Sequence, residues 1–383
     1  FAAAGKQEDL LACARLFQLS PGPESTTQLT RGFEEAFQGR PVSGLPDELL
    51  RAMETAGGES LLIGARRGKP DAVARALAAI ADPSTDASQC LQLISVFGET
   101  RQPSAVPVLL AVTRDARKSE LRRAALGALA VYEEPAIASE VITQLPSYPE
   151  DAKPAAFGLL SRRAGWSAAL LDAVDSGRIP SATVSKDTVR QILKLADHSG
   201  MSETERDRLR QHLAKLWPNL REATSEEKEA EITRLTGVIE VSTGSPYAGK
   251  KLFVENCGVC HRLFGRGGEI GPDLTVYPRA DLGNLLLNIV NPGAEIREGY
   301  ESFSAETEDG RLLTGFLADH NDRMVVLRTP DGQTVPLVRK ELRSLEPANA
   351  SLMPEGLLAS LSDQQVRDLF AYLRSTQPLN DGN

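Results

Sequence analysis

Cys257, Cys260 and His261 stand together in the string NCGVCHRL at 256–263. Two thiols three residues apart share one helical turn, and an imidazole follows the second directly. That is the C-x-x-C-H pattern of covalent haem attachment. Each thiol adds to one of the two vinyl groups, and the imidazole is delivered to the iron from the same face. Two other chemistries use a C-x-x-C pair: a thioredoxin-type redox couple, and half of a zinc site. The chain offers little for either. It has four Cys and four His, with no second C-x-x-C; His198 and His212 lie far upstream in helical sequence, and His320 is the only other His downstream. One covalent haem c is the expected cofactor. Cys13 and Cys90 lie among apolar helical residues and read as small buried hydrophobes rather than a disulfide.

Other catalytic patterns are missing. GRGGEIG at 265–271 has the glycine content of a dinucleotide loop, yet no strand leads into it and no helix follows at once. There is no convincing paired-carboxylate, Ser-His-Asp or phosphate-loop arrangement, so catalysis by this chain alone is not expected. The formal charge of −9 speaks against nucleic acid as a general partner, because phosphate binding needs a basic footprint. The apolar runs fall well short of the roughly 20 residues that span a bilayer. The apolar share of 41% and the charged share of 25% suit folded domains, and 383 residues suit two or three of them.

To about residue 240 the periodicity is helical throughout. The segments AVARALAA at 72–79, AVPVLLAV at 105–112, AIASEVIT at 136–143 and SAALLDAV at 167–174 recur every ~31–33 residues. Companion helices are expected at 90–99, 122–134 and 154–163. A pair of helices per repeat, neither able to bury its apolar face alone, implies a HEAT-like α-solenoid over 1–243. Pro107 is tolerable there only in a first turn. The Ser/Gly/Pro stretch VSTGSPY at 241–247 reads as a linker. From Tyr300 the pattern alternates, broken by EDG, HND and PDG turns, which predicts a small antiparallel β-unit and suggests a five-stranded barrel. Helix returns at 362–375, with Ser362 as N-cap.

The flanks of the attachment site resemble class I cytochrome c domains. Gly249, Leu252 and Phe253 precede the motif as in that family's first helix. LFAYLRS at 369–375 resembles its last helix, whose aromatic residue, here Tyr372, would cross the first where Gly249 permits close approach. GPDL at 271–274 is similar to the loop whose proline carbonyl accepts a hydrogen bond from the haem histidine. The resemblance gives that role to Pro272, acting on His261. It also implies a methionine as second axial ligand, on a loop before the last helix; Met353 in SLMPEGL fits, and Met324 and His320, both in the β-unit, fit less well. On this reading the cytochrome domain comes in two parts, 244–293 and 347–383, with the β-rich insertion 294–346 between them.

Over its whole length the chain resembles the C-terminal half of planctomycete-type haem-binding proteins, named as membrane-bound dehydrogenases. In that family a β-propeller usually precedes the helical repeats, which would account for the start at Phe1. The resemblance implies a monohaem electron-transfer module outside the cytoplasm, periplasmic where the cell has two membranes. A redox partner, or a missing N-terminal half, would then be served through the repeats. Two rival readings remain open: a haem enzyme or gas sensor with an open iron site, and a protein-binding scaffold with an accessory haem.

Overall fold

A computed structural model of the chain describes residues 7–36, 45–57, 61–116, 118–197, 201–217, 223–322, 324–348 and 351–380; His198 lies outside them. The fold is mainly helical, with small antiparallel sheets. The first helices are α1 (Gln7–Gln18), α2 (Pro23–Ala36) and α3 (Asp47–Thr55), which close a small core around Leu10, Phe17, Leu49 and Met53, Cys13 among them. Then follow α4 (Leu61–Arg66), α5 (Pro70–Ala81), α6 (Ala87–Thr100), α7 (Ala105–Asp115), α8 (Ser119–Leu129), α9 (Pro135–Gln144), α10 (Lys153–Leu160), α11 (Ala164–Asp175), α12 (Lys186–Asp197) and α13 (Glu203–Leu216).

The four recurrent segments fall on α5, α7, α9 and α11, and these helices pack each on the next; α4, α6, α8 and α10 stack likewise. The chain thus builds two layers of helices with one continuous core between them, including Phe97, Leu126, Ile137, Leu160 and Leu170. Pro107 lies in the first turn of α7, where its missing N–H costs little. Cys90 is buried and free.

Helix α14 (Ser225–Val241) opens on a capping box from Thr224 and Glu227. Division at 243/244 would leave it with the repeats. Its buried Leu235, with Ile232 and Val238, instead shares a core with Phe253, Leu286 and Tyr372. That core is built by α14 with α15 (Pro246–Asn256), α16 (Leu282–Val290) and α17 (Asp363–Leu373). The hairpin β1 (Arg262–Leu263) and β2 (Arg266–Gly267) follows α15. Among the described residues no helix is long and apolar enough to cross a membrane.

Between α16 and α17 the chain forms β3 (Ser302–Thr307), β4 (Leu312–His320), β5 (Met324–Arg328), β6 (Thr334–Val338) and β7 (Leu342–Ala348), an antiparallel sheet in the order β6-β5-β4-β3-β7. Each of β6 and β7 pairs with one neighbour only among the described residues, so hydrogen bonds do not close the sheet into the barrel that the sequence suggests. The turns after β3 and β5 are copies of one device. In each, a threonine (Thr307, Thr329) hydrogen-bonds an aspartate two residues on (Asp309, Asp331). A glycine with φ near +77° follows in each case (Gly310, Gly332), the left-handed conformation that residue favours.

Both aspartates meet adjacent arginines just after α10. Arg163 donates to Asp309 at 2.9 Å and Arg162 to Asp331 at 3.2 Å, with all four side chains at most 10% exposed. Gly158 on α10 and Gly127 on α8 leave the room that the tips need, since a Cβ there would strike Asp331 and Gln333 respectively. Arg101 after α6 pairs with Glu341 at 3.2 Å, and Gln191 on α12 with the Leu312 carbonyl at 3.2 Å. One layer of the repeats thereby carries the sheet.

Candidate functional site

Helix α15 starts at Pro246, whose fixed φ suits a first helical position, with Ser245 accepting from the Ala248 amide. It crosses α17 at Gly249, where a Cβ would overlap the Asp368 carbonyl and come within 2.9 Å of the Tyr372 Cβ. The ring of Tyr372 meets Phe253 edge-on at 5.5 Å and Phe264 at 6.3 Å. The expected crossing of the first and last helices is present, and it fixes where α15 ends.

At that end the chain turns through the two cysteines. Cys257 N donates to the Phe253 carbonyl at 2.8 Å, and Cys260 N and His261 N both donate to the Cys257 carbonyl, at 3.1 and 2.8 Å. The glycines after the β1–β2 hairpin fold back on this turn, Gly268 N donating to the Gly258 carbonyl at 2.8 Å. GRGGEIG is therefore packed against the C-x-x-C-H turn.

Both thiols are half-buried and free. Burial pushes Cys257 up to about 12, and burial followed by the nearby Asp187 carboxylate pushes Cys260 up. Burial thus moves both thiols in the direction opposite to the depressed thiol of a C-x-x-C redox pair. Among the described residues no three His, Cys, Asp or Glu side chains converge as metal ligands.

The imidazole of His261 is held from two sides. Its Nδ1 donates to the Pro272 carbonyl at 2.9 Å, and since a carbonyl can only accept, Nε2 keeps its lone pair for a metal. Gly271 lies flat under the ring: a Cβ there would stand 2.5 Å from Cε1 and 2.8 Å from Nδ1. Burial lowers the His261 pKa, against the hydrogen bond to Pro272, which raises it. Burial thus favours the neutral ring, the form that ligates. Two thiols on one turn and a lone pair aimed away from Pro272 fit a haem attached at this point.

Met353 stands in the loop before α17, half-buried, its amide donating to Ser351 Oγ at 3.1 Å. Leu358, five residues on, is buried in the core that holds Phe253 and Tyr372. Of the other candidates, Met324 is buried in β5 and His320 is exposed at the end of β4. His212 lies 3.7 Å from Asp172 in the repeats.

Residues that the sequence does not single out also build the site. Arg279 is buried, stacks over Phe264 at 5.0 Å and donates to the carbonyls of Leu373 and Ser375 at 2.6 and 2.8 Å. It places a positive charge on the negative end of α17 and ties that helix to the loop after Pro272. Thr275 Oγ1 accepts from the Phe264 amide at 2.7 Å.

Residues 247–312 match the family described as Cytochrome c, so the chain carries a cytochrome c domain. No curated protein matches the chain. The family implies a covalently bound haem c and haem-based electron transfer, often to partner proteins, and such domains are commonly extracytoplasmic. The matched span includes Cys257, Cys260, His261 and Pro272. Met353 and α17 lie beyond it, although α17 packs on α15.

Proposed function

We propose that the chain is a monohaem electron-transfer module. Cys257 and Cys260 would hold the haem by thioether links, His261 and Met353 would bind its iron, and Pro272 orients His261. The carrying observation is the 2.9 Å hydrogen bond from His261 Nδ1 to Pro272, made by a histidine that directly follows a C-x-x-C turn. Bound there, the haem supplies one-electron cycling between Fe(III) and Fe(II), and a thioether ligand favours the ferrous state. Pro272 fixes the tautomer, Gly271 lets the ring lie flat, and Phe253, Phe264 and Tyr372 pack together in the core beside the turn.

The domain division we propose is helical repeats of HEAT type, then a cytochrome domain in two parts, 244–293 and 347–383, around the insertion 294–346. The helix at 225–241 is added to the cytochrome core. The repeats act as a scaffold whose first cargo is the chain's own β-unit. The similarity to planctomycete-type haem-binding proteins, an extracytoplasmic or periplasmic location, a redox partner protein and a preceding β-propeller half belong to the same reading. The exported protein, once reduced, should give the absorption of low-spin haem c, and Met353→Ala should remove the iron–sulfur charge-transfer band of the oxidised form. An unchanged band, or rapid carbon monoxide binding to the reduced parent, refutes the six-coordinate assignment.

A further inference from the structure

Two residues after Met353 a carboxylate bridges two elements that are far apart in the chain. Glu355 Oε1 accepts from Lys228 Nζ on α14 at 2.7 Å, and Oε2 lies 3.9 Å from the Arg190 guanidinium on α12. All three side chains are largely buried: Lys228 is 15% exposed, Glu355 23% and Arg190 28%. Lys228 also donates to Asn291 Oδ1 at 3.2 Å, just after α16. Lys186, at the start of α12, brings its Nζ to 3.4 Å from where a Cβ of Gly356 would stand. The first turns of α12, a helix of the repeats, thus abut 355–356 on one side while α14 grips it from the other.

Beyond that clamp, the segment is held among the described residues mainly by the buried side chain of Leu358. Between β7 and α17 the described residues form no helix or strand, and the backbone bonds within the loop are those of Ala359 to Gly356 and Leu361 to Leu358. Loops of this kind open locally at small cost. A thioether carries no charge to draw it to the iron, so its place depends on what anchors the loop.

We propose that Glu355 is a positioning residue for the iron-binding methionine: clamped by Lys228 and Arg190, it fixes the Met353 loop and makes the helical repeats a structural part of the haem site. This rests on Met353 being the second ligand. Coupling follows, because any partner that shifts α12 shifts the anchor of the axial ligand.

The test uses the exported, haem-loaded full chain. In Glu355→Gln, and equally in Lys228→Gln, carbon monoxide should bind the reduced protein about tenfold faster, as expected when a half-buried charge pair no longer favours the closed loop. The charge-transfer band should fade at lower denaturant than in the parent. The double variant should add little to either single change. Asp363→Asn, which breaks the Arg234–Asp363 pair between α14 and α17, should leave the carbon monoxide rate at the parent value. A parent-like rate and band in Glu355→Gln, while Met353→Ala loses the band, overturns this proposal alone. A retained band in Met353→Ala overturns the ligand assignment and this proposal with it.

Discussion

His261 owes its metal-ready nitrogen to one oxygen atom. Because the Pro272 carbonyl accepts from Nδ1, that bond fixes the tautomer, and Gly271 is the residue that lets the ring reach that carbonyl. Gly271→Ala would put a methyl 2.5 Å from Cε1, and the ring or the loop must give way. The expected result is a loss of about 1–3 kcal/mol of stability and a weakened axial bond. Thermal unfolding and the reduced spectrum of the holoprotein measure both; a variant identical to the parent in both would contradict the account. The candidate attachment residues stand out in the sequence because C-x-x-C-H is a local pattern, its chemistry contained in five consecutive residues. Arg279 and Glu355 were not legible: their partners Leu373 and Lys228 lie 94 and 127 residues away, and nothing local distinguishes either from a solvated surface charge.

The two Thr-x-Asp-Gly turns show how elements are joined here. Burial alone would raise the Asp309 pKa, but the charge of Arg311, the Thr307 hydroxyl and Arg163 outweigh it and hold the carboxyl at about 2. A carboxylate with a depressed folded value stabilises the fold fully above its unfolded value, roughly 3.9, and that contribution is lost as pH falls toward the folded value. Asp309→Asn should therefore cost about 3 kcal/mol at pH 7, with the difference from the parent shrinking below about pH 4. Denaturant titrations at the two pH values decide it, and an equal difference at both would exclude the ionic explanation. The sequence marks EDG and PDG as turns, because Asp-Gly is a turn signal anywhere. That both tips dock on Arg162 and Arg163 could not be read from it, since a hairpin carries no trace of what its tip touches.

At the scale of the whole molecule, the repeats carry the sheet, and the sheet touches the haem domain through Arg328, which donates to the Glu269 carbonyl at 2.9 Å. α12 closes the circuit at Glu355. Periodicity made the helix pairs legible, since each repeat writes its apolar face into the sequence. The membership of α14 was not, because an amphipathic helix shows that it has a buried face but not which core receives it. The insertion between α16 and the Met353 loop looks in sequence like an interruption of the cytochrome domain. In the structure it contacts both sides, through Asp309 and Asp331 on Arg163 and Arg162 and through Arg328 on the Glu269 carbonyl. The electron-transfer role depends on a haem joined to Cys257 and Cys260, and mass spectrometry of the denatured, exported chain tests this most directly. One haem retained covalently per chain, and none in a Cys257→Ser/Cys260→Ser variant, is the predicted result; a colourless chain with both thiols free to alkylation would contradict it.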